Sequence, residues 1–214
     1  PLKGDEPQGA IVGPTVVTST SDRVTLSMNS PAAVNLIEWV EFPNTANQHA
    51  LGEVMLSAEP GAPQLPVYRS LVGIPATATY HFKVSAAPSE KITASSRIFS
   101  IPKPMVLTAS DGTQLTQVAS GESGFDESSS LYPENAIKIV EETWIRDQRI
   151  VVLEFYPFQV VPGEETIVYH PTLTAELSLA YSDSESTVQL TRSSPERPGD
   201  DLYDDTLSQV ILNY

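Results

Sequence analysis

A few groups of side chains in this chain of 214 residues could do chemistry. The stretch GESG at 121–124 sets Ser123 between glycines, as a serine nucleophile elbow does. The full pattern needs a further glycine where Phe125 stands, and a strained strand-to-helix turn around it. The run DDLYDD carries Asp200, Asp201, Asp204 and Asp205, enough carboxylate to attract a hard cation. It lacks the alternating ligand spacing and the glycine of a calcium loop, so a solvated acidic linker accounts for it. His49, His81 and His170 are far apart. His81 alternates with strand residues and His170 precedes Pro171 at a strand end, which makes hydrogen-bonded structural roles the expectation for all three. Glu141, Glu142 and Asp147 gather near Trp144, where a turn between two strands explains them, and no sugar-hydrolysing pair can be assigned. With 0 cysteines there is no thiol nucleophile, no disulfide and no thiolate metal site. No catalytic residue, cofactor or metal site is expected.

Composition narrows the classes further. Twelve Lys and Arg stand against 27 Asp and Glu, a net charge of −15. Such a field repels phosphate backbones and anionic headgroups, so neither nucleic acid nor a lipid surface is an expected partner. Forty per cent of the residues are hydrophobic, and no run approaches the about 18 apolar residues of a membrane helix. The opening PLKGDEPQGA has no initiator methionine, which suggests a processed or excised fragment.

Strands are the elements that must position anything functional. VTLSM puts Val24, Leu26 and Met28 on one face, and YHFKV does the same with Tyr80, Phe82 and Val84. In LTAELSLAY, Leu173, Ala175, Leu177, Leu179 and Tyr181 oppose Thr174, Glu176 and Ser178. RIVVLEFYPF at 149–158 is apolar on nearly both faces, as suits a central strand covered on two sides. In GAPQLPVYR at 61–69, Pro63 and Pro66 hold the chain extended and cannot donate to a ladder, so this segment is a sheet edge or the entry to a strand. Eighteen prolines and 11 glycines punctuate many short strands, the signature of an antiparallel β-sandwich. The long stretch at 108–130, small and polar without Lys or Arg, reads as a loop. From 182 to 201 the chain reads as linker, although STVQL could pair as a late strand. Leu202, Leu207, Val210 and Ile211 then approach helical spacing. The expected division is a sandwich over 1–181, flexible before about residue 14, followed by an acidic linker and junction segment at 182–214 that has room for a short helix.

Taken in order, GAPQLPVYRSL, SIPKPMVL, LYPENA, YPFQVVPGEETIVYHPTLTAELSLAY and LYDDTLSQVILNY resemble the N-terminal propeptide of gingipain-type cysteine peptidases. The resemblance covers about the last 150 residues and rests on five pieces in the family's order. It implies a β-sandwich that precedes a caspase-like catalytic domain, keeps it latent, assists its folding and is released by proteolysis. The chain is then no enzyme by itself, since the catalytic Cys and His would lie downstream of Tyr214. The partner is the cognate catalytic domain, and secretion or surface display follows.

Family propeptides lay a loop across the active-site cleft. The matching stretch is Lys103, Pro104, Met105, Val106, Leu107, Thr108 and Ala109, with the inhibitory basic position on or beside Thr108. This is a departure, because no Lys or Arg occurs between Lys103 and Lys138. A peptidase that does not demand a basic residue, a shifted register and purely steric cover all remain open. Met105, Val106 and Leu107 are the natural apolar contacts; the pattern alone also suits an edge strand packed on the sandwich. Processing is expected among Arg192, Arg197 and Tyr214. The alternative to a propeptide is a stand-alone β-sandwich domain for adhesion or ligand binding.

Overall fold

The computed structural model describes residues 13–32, 55–57, 59–94, 104–108, 114–118, 131–146, 148–161, 164–181, 207, 208 and 210–213. The alternating runs become β1 (Thr15–Ser19), β2 (Arg23–Asn29), β3 (Met55–Leu56), β4 (Pro66–Ile74), β5 (Thr79–Ala86) and β6 (Glu90–Thr93). After them come β7 (Pro104–Thr108), β8 (Gln114–Val118), β9 (Ile137–Ile145), β10 (Gln148–Phe155), β11 (Phe158–Val160), β12 (Thr166–Tyr169) and β13 (Thr172–Ala180). The fold is all-β, as expected. One sheet has the order β1-β2-β13-β5, the second β3-β4-β10-β9, and a smaller one β11-β12-β6, while β7 and β8 pair as a two-stranded ribbon.

The sandwich follows from where alternation puts the apolar side chains. Val24, Leu26 and Met28 of β2 and Leu173, Ala175, Leu177 and Leu179 of β13 face Tyr68, Val72, Val151, Leu153 and Phe155 of the second sheet in one core cluster. In β5, the edge strand of the first sheet, Tyr80 and Phe82 pack partly buried against that core, but Val84 is exposed. A second cluster fills the small sheet, with Leu65, Val67, Tyr156, Phe158, Val160, Ile167 and Tyr169. β10 runs into β11 through Tyr156 and Pro157, and β12 runs into β13 through His170 and Pro171. The His170 N–H donates to the Pro157 carbonyl at 2.8 Å, tying these two corners together.

The proline-framed entry to β4 is extended, as its residues require. Gly61 turns at φ 86, in the left-handed region that favours glycine. Leu65 is fully buried, and its N–H donates to Ser57 Oγ at 2.8 Å, while the Ser57 hydroxyl donates to the Pro63 carbonyl at 3.1 Å. Pro66 then opens β4 opposite Leu56.

β10 is the central strand that its composition demands, paired with β4 on one side and β9 on the other. Its second apolar face, Ile150 and Val152, is covered by Leu207 and Ile211 from the C-terminal segment. Residues 207, 208 and 210 form a helical turn.

Candidate functional site

The stretch singled out as an inhibitory loop is a strand over most of its length. β7 pairs antiparallel with β8 in a register that sets Pro104 opposite Val118 and Thr108 opposite Gln114. Among the described strands no other pairs with this ribbon. Within the expected loop of 108–130, residues 114–118 are thus a strand paired with β7; 109–113 and 119–130 lie outside the described residues. QLTQV has no period-two apolar face, since Leu115 and Val118 fall on opposite sides of the strand, although Asp111-Gly112 supplies a turn signal between the strands. Lys103 and Ala109 lie outside the described residues, as do Ser123, His49, Asp147, the carboxylates of DDLYDD, and Arg192, Arg197 and Tyr214.

The outward face of the second sheet carries two polar assemblies. At the β3 end a cleft of 320 Å³ is lined by Met55, Glu59, Arg69, Tyr132, Lys138 and Glu154, among others. Glu154 is buried on β10, and its two oxygens are fully engaged. Arg69 Nη2 stands 2.6 Å from Oε1, Lys138 Nζ lies 3.6 Å from Oε2, and the Tyr156 hydroxyl donates to Oε2 at 2.7 Å. Burial pushes the carboxyl up, but the hydrogen bonds from Arg69 and Tyr156 and the Lys138 charge outweigh it and hold the group below the usual glutamate range. Burial and the neighbouring Glu154 push the Tyr156 phenol up, and burial and Glu59 do the same to Tyr132. The cluster holds charge in place; no imidazole is among the described residues that line the cleft, and the hydroxyl of its serine, Ser57, is engaged with the Leu65 N–H and the Pro63 carbonyl.

At the other end, the C-terminal segment adds itself to β4. Asn213 Oδ1 accepts from the Gly73 N–H at 2.8 Å, and its Nδ2 donates to the Gly73 carbonyl at 2.8 Å. The Leu212 N–H donates to the Leu71 carbonyl at 3.0 Å, beside a parallel bridge between Leu71 and Ile211. Leu207 and Ile211 sink into the patch of Leu71, Ile145, Ile150 and Val152; burying each contributes about 2 kcal/mol. A Cβ on Gly73 would stand 3.0 Å from Gln148 Nε2 and 3.4 Å from Ile211 Cγ2, so any larger residue here requires these two side chains to give way by a few tenths of an ångström.

The dispersed titratable residues stay dispersed. His81 is exposed on β5, opposite Ser178 of β13. His170 is buried, with Nε2 2.5 Å from Gln159 Oε1, and burial lowers its pKa. Gln159 Nε2 donates to the Pro133 carbonyl at 2.7 Å, which leaves Oε1 to accept and His170 Nε2 to donate. Glu141 and Glu142 lie in β9 rather than in a turn; the turn follows at Arg146, with φ 57. Glu142 Oε1 sits 2.6 Å from Arg149 Nη2, and the Tyr80 hydroxyl donates to Oε2 at 3.0 Å. Among the described residues no group of three or more His, Asp or Glu is arranged to hold a metal ion.

Sequence reasoning passed over Glu154, Gly73 and Asn213. A lone acid inside the apolar run VVLEFY signals a buried pair, because an unpaired carboxylate there costs too much. Nothing local marks Asn213, whose partner is 140 residues away.

The family model described as Propeptide_C25 matches residues 14–214. The chain belongs to the family of C25 peptidase propeptides. The match begins before β1 and so includes strands that the sequence resemblance left out. This propeptide shares its fold with a chain of the solved complex of the pro- and mature domains of gingipain RgpB from Porphyromonas gingivalis. The TM-score is 0.54 at 15% identity, over 94% of this chain and 97% of that one. A structure concerning the zymogenic latency of gingipain K from the same organism matches with a TM-score of 0.48 at 13% identity, over 85% of this chain and 98% of that one. No curated protein sequence matches the propeptide.

Proposed function

We propose that this propeptide keeps a C25 cysteine endopeptidase latent by covering its active-site cleft, assists its folding, and is removed by proteolysis. The observation that carries the reading is the family match over 14–214. The catalytic Cys and His belong to the peptidase domain, which is the partner, and the pair acts outside the cell or at its surface. An acidic linker and junction segment over 182–214, whose described residues dock on β4 and β10, connects the two.

The covering element is the β7–β8 ribbon with its flanks: Lys103, Pro104, Met105, Val106, Leu107, Thr108 and Ala109. Peptidases hold substrates as extended chains through main-chain hydrogen bonds, and the ribbon has outer edges that no other described strand pairs with. A strand already fixed by its partner loses little conformational entropy on docking, so an interface of roughly 800 Å² per partner suffices for tight binding. The net charge of −15 complements a basic rim around the cleft and speeds encounter.

The test is direct. Purified propeptide is added to its mature peptidase and substrate turnover is followed. Inhibition that saturates is the expected result, whereas full activity at saturating propeptide overturns the reading.

A further inference from the structure

β3 pairs with β4 only at Pro66 and Val67. Beyond them no other described strand pairs with this edge of β4, and an unpaired edge next to an apolar shelf invites another chain. Leu71 and Gly73 turn main-chain groups to that edge, and the described C-terminal residues take up three of them: the Leu71 carbonyl through the Leu212 N–H, and both polar groups of Gly73 through the Asn213 amide. Leu207 and Ile211 fill the shelf beneath. Main-chain pairing, a side-chain amide imitating a peptide group, and two buried anchors point independently to one occupant.

We propose that this length of the β4 edge, with its apolar shelf, is a docking site for the chain's own C-terminal segment, and that docking shields the junction from proteolysis until the segment lifts off. The maturation role rests on the propeptide reading above. An endopeptidase must take several consecutive residues into its cleft as an extended strand. Residues 211 and 212 have their main chain against β4, Asn213 is held there by its side chain, and residues 207–208 are wound into a helical turn, so the docked segment cannot enter a cleft. Cutting then proceeds through the opened form, at a rate proportional to its population. The Asn213 amide is the clasp, because it supplies two of the hydrogen bonds and contributes nothing to the sandwich core.

The test uses the 214-residue chain. Limited chymotrypsin digestion is followed by mass spectrometry at the bonds after Leu207 and Leu212. Each rate is divided by that of a free 202–214 peptide carrying the same substitution. Asn213→Ala and Asn213→Asp, the latter lacking the donor to the Gly73 carbonyl, are expected to be cut about tenfold faster than the parent chain. Amide exchange at Gly73 and Leu212 should accelerate in parallel. Equal normalised cutting in parent and variants, or a parent chain cut as fast as the free peptide, overturns the proposal. The same variants are assayed as inhibitors, and inhibition is expected to be retained. A parent chain that fails to inhibit refutes the propeptide function and leaves the digestion comparison standing.

Discussion

Glu154 is the one buried carboxylate among the described residues. It sits in the apolar run of β10 with both oxygens occupied. Glu154→Gln puts an NH2 group against Arg69 or the Tyr156 hydroxyl, and it is expected to lower stability by about 2 kcal/mol, read as a drop in the urea midpoint. The depressed carboxyl also fixes a pH window. Its contribution is complete above the ordinary glutamate range and is lost as pH falls through the depressed folded value. Glu142, held low by Arg149 and Tyr80, acts in the same direction. Midpoints measured from pH 7 down to pH 3 should therefore fall, and fall less for Glu154→Gln; parallel curves would remove Glu154 from the acid limb. At this scale the sequence was only partly legible. That Glu154 needs partners follows from its neighbours in the run, but that they are Arg69 and Lys138 depends on strand register.

At the scale of elements, legibility tracked period two. β2, β10 and β13 were readable because each has a continuous apolar face or two. β8 was not, because QLTQV has one large apolar residue and its pairing with β7 supplies what its composition lacks. The C-terminal turn was visible as spacing, and its cover of β10 was not, since burial there joins segments far apart in sequence. The ribbon is also where the proposed inhibition can be separated from stability. Replacing residues 105–108 by glycine and serine is expected to weaken inhibition at least tenfold while moving the thermal midpoint by only a few degrees, because among the described strands the ribbon pairs into none of the core sheets. Unchanged inhibition would move the contact elsewhere.

The whole molecule carries 27 acidic against 12 basic side chains. Of the ion pairs seen, those at Arg23 and Glu176 and at Arg149 and Glu142 are at least partly exposed and contribute little individually. Self-repulsion therefore dominates, and raising salt from about 10 mM to about 300 mM is expected to increase the thermal midpoint at pH 7. A decrease would mean that the local pairs outweigh the net field. The class of fold and the family were legible from ordered landmarks, whereas sheet order was not, because β13 joins β2 and β5 through contacts that alternation cannot rank. That pairing has a consequence in time. β2 waits for a partner about 150 residues away, so at roughly 5–20 residues per second a ribosome needs about 8–30 s between making the two strands. The first sheet closes only when nearly all of the propeptide has been synthesised, with its inner strand lacking that cover until then. A chaperone that holds β2 during this interval would raise yield without touching the finished structure.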